Sequence, residues 1–256
     1  MSLSKLNERV RSYWEQEPCG TGDSIAAGLQ PGSREWFERV EEHRYAAEPF
    51  IHQVAQFTRH RGKRVLEVGV GAGTDHLQWA RAGCECFGVD LTDAAIEATR
   101  ERLAWYGFES QLQRVDAELL PYADATFDVV YSWGVIHHSE KPGQIAHEIR
   151  RVLKPGGSFI GMVYGRRSLR VLKLWVRHAL LAGRPWRRPS DLVWNQVESV
   201  GTKAYTTAEA RHLLAGFSSV ALKSFVTPYD TAGVPRWLSR LLPDDWGWFI
   251  TFKAVR

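Results

Sequence analysis

Short apolar runs alternate with amphipathic stretches through the middle of the chain. Residues 64–68 read as a strand ending in glycines, and 74–82 as a helix. A second strand spans 84–89 and ends at Asp90. Residues 92–105 read as a helix with Gly107 just beyond it, and 111–115 as a weaker strand. Residues 127–132 form a clear strand pattern. Helical periodicity over 144–153 stops at Pro155-Gly156-Gly157, and 158–164 is strand-like again. Strands alternating with helices predict an α/β fold, a parallel sheet covered on both faces. Upstream, helices are expected over 3–17, 33–47 and 50–60, the second capped by Ser33 and followed by Pro49. Downstream, 166–182 is one long helical pattern. Thr206-Thr207-Ala208-Glu209 is a capping box opening a short helix, and 217–227 and 248–255 are the final strands.

The 256 residues suit one domain. We divide it into a helical lid (1–60), a central core (61–164), a helical insert between strands five and six (165–205) and two C-terminal strands (206–256). A hydrophobic content of 44% against 24% charged excludes a disordered or fibrous chain. No apolar run nears the ~20 residues of a membrane span, and residues 1–10 do not form a signal peptide. Three cysteines, with Cys84-x-Cys86 at neither zinc nor redox spacing, point to a reduced, cytoplasmic setting. Charge is uneven. Residues 1–164 hold 18 Lys/Arg and 23 Asp/Glu, whereas 165–256 hold 15 and 6, so the basic excess lies in the C-terminal third.

The most informative segment is Glu67-Val68-Gly69-Val70-Gly71-Ala72-Gly73-Thr74. Glycines leave a strand tip and enter a helix, and backbone without Cβ atoms lets a nucleotide-like ligand lie against it. Asp90, at the end of the second strand, can accept from both ribose hydroxyls. A dinucleotide site wants G-x-G-x-x-G with its pyrophosphate on the helix N-terminus. Here the third glycine would fall at position 74, which is Thr. Acidic Glu67 repels a pyrophosphate and suits S-adenosylmethionine, which carries a sulfonium and an ammonium and no phosphate.

Four further segments follow in order. They are Asp116-Ala117-Glu118 with Leu120-Pro121-Tyr122, Phe127-Asp128-Val129-Val130, Ser132-Trp133-Gly134-Val135-Ile136-His137-His138-Ser139, and Leu153-Lys154-Pro155-Gly156-Gly157. With the glycine loop, residues 61–164 resemble a class I S-adenosylmethionine-dependent methyltransferase of the small-molecule subgroup that includes the ubiquinone and menaquinone methyltransferases. The resemblance implies a Rossmann-like seven-stranded sheet, mostly parallel with the last strand antiparallel. It implies S-adenosylmethionine as cofactor and S-adenosylhomocysteine as product. Glu67, Gly69, Gly71, Gly73, Asp90, Leu91, Asp116, Ala117 and Ser132 would contact the cofactor, Asp116 holding the adenine amino group. From the lid, Arg44 would pair with the methionine carboxylate, with Tyr13 and Tyr45 as further donors.

His137 and His138 follow the fourth strand beside the expected methyl group, and either could act as general base; the resemblance favours His137. Tyr164 ends the fifth strand on the ligand side of the sheet, and Trp14, Trp175 and Tyr205 are further substrate candidates. Cys19 has no neighbouring base that would make it a nucleophile, and Trp237 belongs to a set of tryptophans outside the core segment. The insert is basic and amphipathic, with Arg166, Arg167, Arg170, Lys173, Arg177, Arg184, Arg187 and Arg188 among apolar residues. It could line a lipophilic substrate pocket, rest on an anionic membrane or simply cover the sheet. The expected activity is methyl transfer to O, N or C of a small lipophilic or aromatic metabolite. An RNA methyltransferase and a non-catalytic cofactor-binding module are the alternatives. No DNA partner is expected, since Ser132-Trp133-Gly134 replaces the Asp/Asn-Pro-Pro-Tyr/Phe motif of amino-methylating DNA enzymes, and no metal.

Overall fold

Side chains alternate across the strands and bury on both faces. Strand β1 (Arg64–Val68) sends Val65 to one face and Leu66 and Val68 to the other. Strand β4 (Phe127–Trp133) divides Val129, Tyr131 and Trp133 from Val130, and β5 (Leu153–Tyr164) divides Ile160 and Met162 from Phe159 and Val163. A strand apolar on both sides needs a layer on each. Helices α3 (Ile51–Ala55) and α4 (Thr74–Arg81), with α7 (Leu169–Trp175) and α8 (Pro189–Gln196) from the insert, contribute to the first layer. Helices α6 (Pro142–Val152) and α9 (Thr207–Leu213) contribute to the second. Each fully buried Leu, Ile or Phe in these layers is worth about 1.5–3 kcal/mol.

This computed structural model describes residues 3–16, 18, 20–22, 24–234 and 241–256. Cys19 and Trp237 lie outside the described residues, as does residue 17 at the end of the first expected helix. The remaining elements are α1 (Lys5–Gln16), α2 (Arg34–Ala47), β2 (Glu85–Asp90), α5 (Asp93–Trp105), β3 (Gln111–Arg114), β6 (Ser219–Phe225), α10 (Pro228–Thr231) and β7 (Phe249–Val255). The strands form one seven-stranded sheet in the order β3-β2-β1-β4-β5-β7-β6. Strands β1 to β5 pair in parallel, and β7 runs antiparallel to both β5 and β6. This is the expected Rossmann-like sheet.

Local signals hold where side chains satisfy backbone. Ser33 accepts from the Trp36 amide, Thr92 from the Ala95 amide, and Thr206 with Glu209 closes a capping box. Each such cap is worth about 1 kcal/mol. Three expectations change. Strand β5 begins at Leu153 rather than 158, because Leu153 pairs with Phe127 before a register shift brings Ser158 opposite Val129. The helix expected over 50–60 breaks at Gln56, whose backbone is left-handed. The helix expected over 166–182 starts only at Leu169, where Ser168 caps it, and loosens into a π-helical turn over Val176–Leu180. Its first residues have another task. The Tyr205 amide donates to the Tyr164 carbonyl at 2.8 Å and the Arg166 amide to the Tyr205 carbonyl at 2.7 Å, so both ends of the insert meet at the tip of β5. Among the described residues no helix is long and apolar enough to cross a membrane.

Candidate functional site

Strand order reverses between β1 and β4, and such a reversal opens a crevice beyond the carboxyl ends of the strands. The loop after β1 enters it with Gly69 and Gly71 at φ +83° and +53°, the left-handed region that glycine adopts without penalty. A Cβ at Gly69 would overlap the methyls of Val135, whereas one at Gly71 would meet nothing within 4 Å. Asp90 faces the same space from the end of β2. Its Oδ2 accepts from the Gly71 amide at 3.2 Å and its Oδ1 from Thr92 N and Oγ1 at 3.0 and 2.8 Å. Burial pushes its carboxyl above the ordinary value, against these hydrogen bonds.

The resulting cavity takes in about 860 Å³ with its open mouth. Gly69, Gly71, Asp90, Leu91, Asp116 and Ala117 line it as expected, with Trp14 and His138. Its apolar wall is Val10, Trp133, Val135 and Ile145. Asn7 was not anticipated. From α1 its amide donates to Asp116 Oδ2 at 3.0 Å and Glu118 Oε1 at 2.8 Å, while its Oδ1 accepts from the Glu140 amide. One buried side chain thus ties the lid to the loops after β3 and β4. An Asn inside an amphipathic helix carries no sequence signal for this.

Several expected contacts are not brought to the cavity. Arg44 does not face it; its guanidinium forks onto Asp75, with Nε to Oδ1 at 3.1 Å and Nη2 to Oδ2 at 2.6 Å. Tyr45 and Tyr131 donate to the same carboxylate at 3.0 and 2.8 Å. Burial would push Asp75 up, but the Arg44 guanidinium, with both hydroxyls, holds it below the usual carboxylate range.

Glu67 also turns away. Its Oε2 lies 3.0 Å from His76 Nδ1, and His76 Nε2 lies 2.8 Å from Ser110 Oγ. Ser110 donates its own hydrogen to the Cys86 carbonyl, so it accepts from His76 Nε2–H. One proton lies between Nδ1 and Glu67, and on Glu67 it leaves both groups neutral. Burial drives both groups that way, raising Glu67 and lowering His76 to about 4. The expectation of a charged Glu67 beside a cationic ligand is corrected.

Gly73 packs against Thr99 at the start of α4, and Ser132 donates to the Val68 carbonyl at 3.0 Å, holding β4 to β1. Tyr13, on the outer side of α1, is not a lining residue. Trp175 gives its indole N–H to the Arg187 carbonyl within the insert, and the Tyr205 hydroxyl is buried away from the cavity.

The histidines differ. His137, favoured above, is fully buried and packs against Tyr164 at 4.0 Å between ring centres with the rings tilted by 42°, while His138 lines the cavity. Trp14 packs edge-on against His138 at 5.5 Å. Tyr164 does not reach the cavity; its hydroxyl meets both oxygens of Glu198 at 2.9 Å.

A family model described as a methyltransferase domain matches residues 66–161. An uncharacterized methyltransferase of Bacillus subtilis, YcgJ, is 30% identical over 170 residues, covering 65% of this chain and 67% of that one. An uncharacterized protein of Mycobacterium tuberculosis is 35% identical over 102 residues, 40% of this chain, and the match spans only 37% of that relative's length. A solved S-adenosylmethionine-dependent methyltransferase from Mesorhizobium loti shares the fold, with a TM-score of 0.58 at 19% identity over 86% of this chain and 100% of that one.

Proposed function

Because the chain belongs to the class I S-adenosylmethionine-dependent methyltransferases, we propose that it methylates an O, N or C atom of a small lipophilic or aromatic metabolite. The observation that carries this is the convergence of Gly71, Asp90, Asp116 and His138 on one apolar-walled cavity. The donor set fits the cofactor. Asp90 would hold the ribose hydroxyls, Asp116 and Ala117 would edge the adenine, and the open space at Gly71 admits a ligand against the backbone. Bound there, S-adenosylmethionine supplies an electrophilic methyl group. The chain's own residues orient the acceptor, exclude water through Trp14 and Trp133, and receive a proton. We place the protein in the cytoplasm, where Cys84 and Cys86 persist as free thiols.

Methyl-labelled cofactor incubated with the protein and a whole-cell extract is expected to label the organic-soluble fraction. Asp90→Ala should remove that label, since losing charge-assisted hydrogen bonds worth about 1.5–3 kcal/mol weakens cofactor binding roughly ten- to hundredfold. Label in RNA would transfer the assignment to an RNA methyltransferase. Cofactor binding with no label in any fraction would favour a non-catalytic module.

A second reading concerns where the acceptor is collected. Leu181 and Trp186 are 78% and 75% exposed in a turn that contains Arg184 and Arg187 and is flanked by Arg177 and Arg188. An anionic bilayer suits this pattern, at about 1 kcal/mol for each basic residue at the surface. Sedimentation with phosphatidylglycerol vesicles should carry the protein down, and phosphatidylcholine vesicles should not. Leu181→Ser with Trp186→Ser should abolish the effect; equal sedimentation of this variant would remove the reading.

A further inference from the structure

Two carboxylates line the cavity, Asp90 at the end of β2 and Asp116 beyond β3. A nucleoside offers donors at two places, its ribose hydroxyls and the amino group of its base. With the ribose at Asp90, the base amino group falls to Asp116. Asp116 Oδ1 accepts from the Glu118 amide at 3.0 Å, and Oδ2 from Asn7 Nδ2 at 3.0 Å. A carboxylate oxygen has room for a second donor, so a position on each stays open, and Asn7 sets which way these positions face. Asn7 is buried, and its other Nδ2 hydrogen goes to Glu118 Oε1 at 2.8 Å while its Oδ1 takes the Glu140 amide at 2.9 Å. The side-chain amide can sit only this way round. Turned over, its oxygen would face two carboxylates and its hydrogens would face the Glu140 N–H. Burial would raise the Glu118 carboxyl, but Ser139, Asn7 and the Lys141 amide hold it below the ordinary value, so it stays an anion that needs these donors.

We propose that Asn7 is a positioning residue for the base of the cofactor: by holding the Asp116 carboxylate from the lid, it makes the site select a 6-amino purine over a 6-oxo purine. This rests on the methyltransferase reading above. The 6-amino group donates to an open position on Asp116. A 6-oxo group presents a lone pair to the same carboxylate and is rejected. The choice is tied to the lid. Asn7, Val10 and Trp14 lie on one face of α1, and all three line the cavity. The helix that holds Asp116 at one end brings Trp14 against His138 at the other. A base that pushes Asp116 aside therefore also loosens the roof over the His138 end. The far end of α1 has anchors of its own. Glu15 accepts from the Asp93 and Ala94 amides at 3.3 and 2.9 Å, and Arg11 pairs with Asp93 at 3.1 Å. None of these residues lines the cavity, so the two ends of the helix can be tested separately.

The test compares calorimetric binding of S-adenosylhomocysteine with that of its 6-oxo analogue, S-inosylhomocysteine. The wild type is expected to prefer the amino form roughly ten- to hundredfold, the worth of one hydrogen bond to a charged group. In Asn7→Ala the preference should shrink to about threefold or less, because water takes the place of the amide and the carboxylate turns freely. Asn7→Ser, which keeps one donor, should lie between the two and serves if the alanine variant does not fold. Glu15→Ala loosens the other end of the same helix. It should weaken both ligands alike and leave their ratio near that of the wild type. A ratio unchanged in the Asn7 variants overturns the proposal. So does an equal loss of ratio in Glu15→Ala, which would make the selectivity a property of lid docking at large. A wild type that binds both ligands equally overturns it too, since Asp116 then recognises no amino group. Binding of neither ligand is a different failure, that of the cofactor reading itself, and the proposal falls with it.

Discussion

An Arg44→Met variant is expected to lose about 3–5 kcal/mol of folding stability at neutral pH, the range for removing one partner of a buried ion pair. Asp75 is 3% exposed, so bulk solvent does not reach the carboxylate onto which the guanidinium forks. Tyr45 and Tyr131 would remain as donors, which is too little for a bare carboxylate at this depth. The pH dependence follows from the direction of the Asp75 shift. In the wild type its carboxyl lies below the ordinary value, so its contribution is complete above that value and fades as pH falls through the lowered one. Without Arg44, burial dominates and the carboxyl rises above the ordinary value. The anion is then a burden at neutral pH, relieved as acid protonates it. The deficit between the two proteins should therefore be widest near neutrality and narrow on acidification. Urea unfolding at several pH values measures this. Equal midpoints, or a deficit that does not change with pH, would show that Arg44 does not hold the lid through Asp75.

That cluster also marks where sequence reading runs out. The glycine loop, Asp90 and the Asp116 loop were legible because each depends on local chain geometry, a strand tip feeding a turn. The caps at Ser33, Thr92 and Thr206 were legible for the same reason, since donor and acceptor lie three residues apart. Arg44 was read as a ligand contact because a cation in a lid suggests an anion below it. The anion is there, but it is Asp75, 31 residues on, and no spacing rule connects them. Glu67 was misread for a related reason. The alternation of β1 turns it to the face shared with Tyr131 and His76, away from the crevice. His138, Ser199, Thr202 and Glu198 meet because the insert returns to the tip of β5 at Tyr205, so the polar surroundings of His138 stayed hidden in the part of the sequence with the weakest pattern.

Gly69→Ala is expected to lower affinity for S-adenosylhomocysteine by about thirtyfold or more, and two separate strains produce it. The residue sits at φ +83°, where a Cβ costs about 1–2 kcal/mol. The same Cβ would overlap Val135, a wall of the cavity on the loop after β4, and forcing extra volume into a packed site costs a further 1–3 kcal/mol or so. Relief of either strain moves Val135 or the β1 loop, and both border the space the ligand must enter. Val135→Ala alone should cost little affinity, because it only enlarges the cavity. Combined with Gly69→Ala it should restore part of the loss, since the overlap disappears and only the backbone strain remains. Contacting residues couple in this way, and the coupling expected here is about 1–3 kcal/mol. Gly71→Ala provides the contrast. At φ +53° it carries the backbone strain alone, since its Cβ meets no protein atom within 4 Å, so the variant should keep its fold while presenting a methyl group at the cavity surface. Calorimetric binding of S-adenosylhomocysteine to the four variants separates the cases. If Val135→Ala fails to rescue Gly69→Ala, the loop is held by something other than the approach of Val135, and the crevice is not shaped by the contact between the β1 and β4 loops.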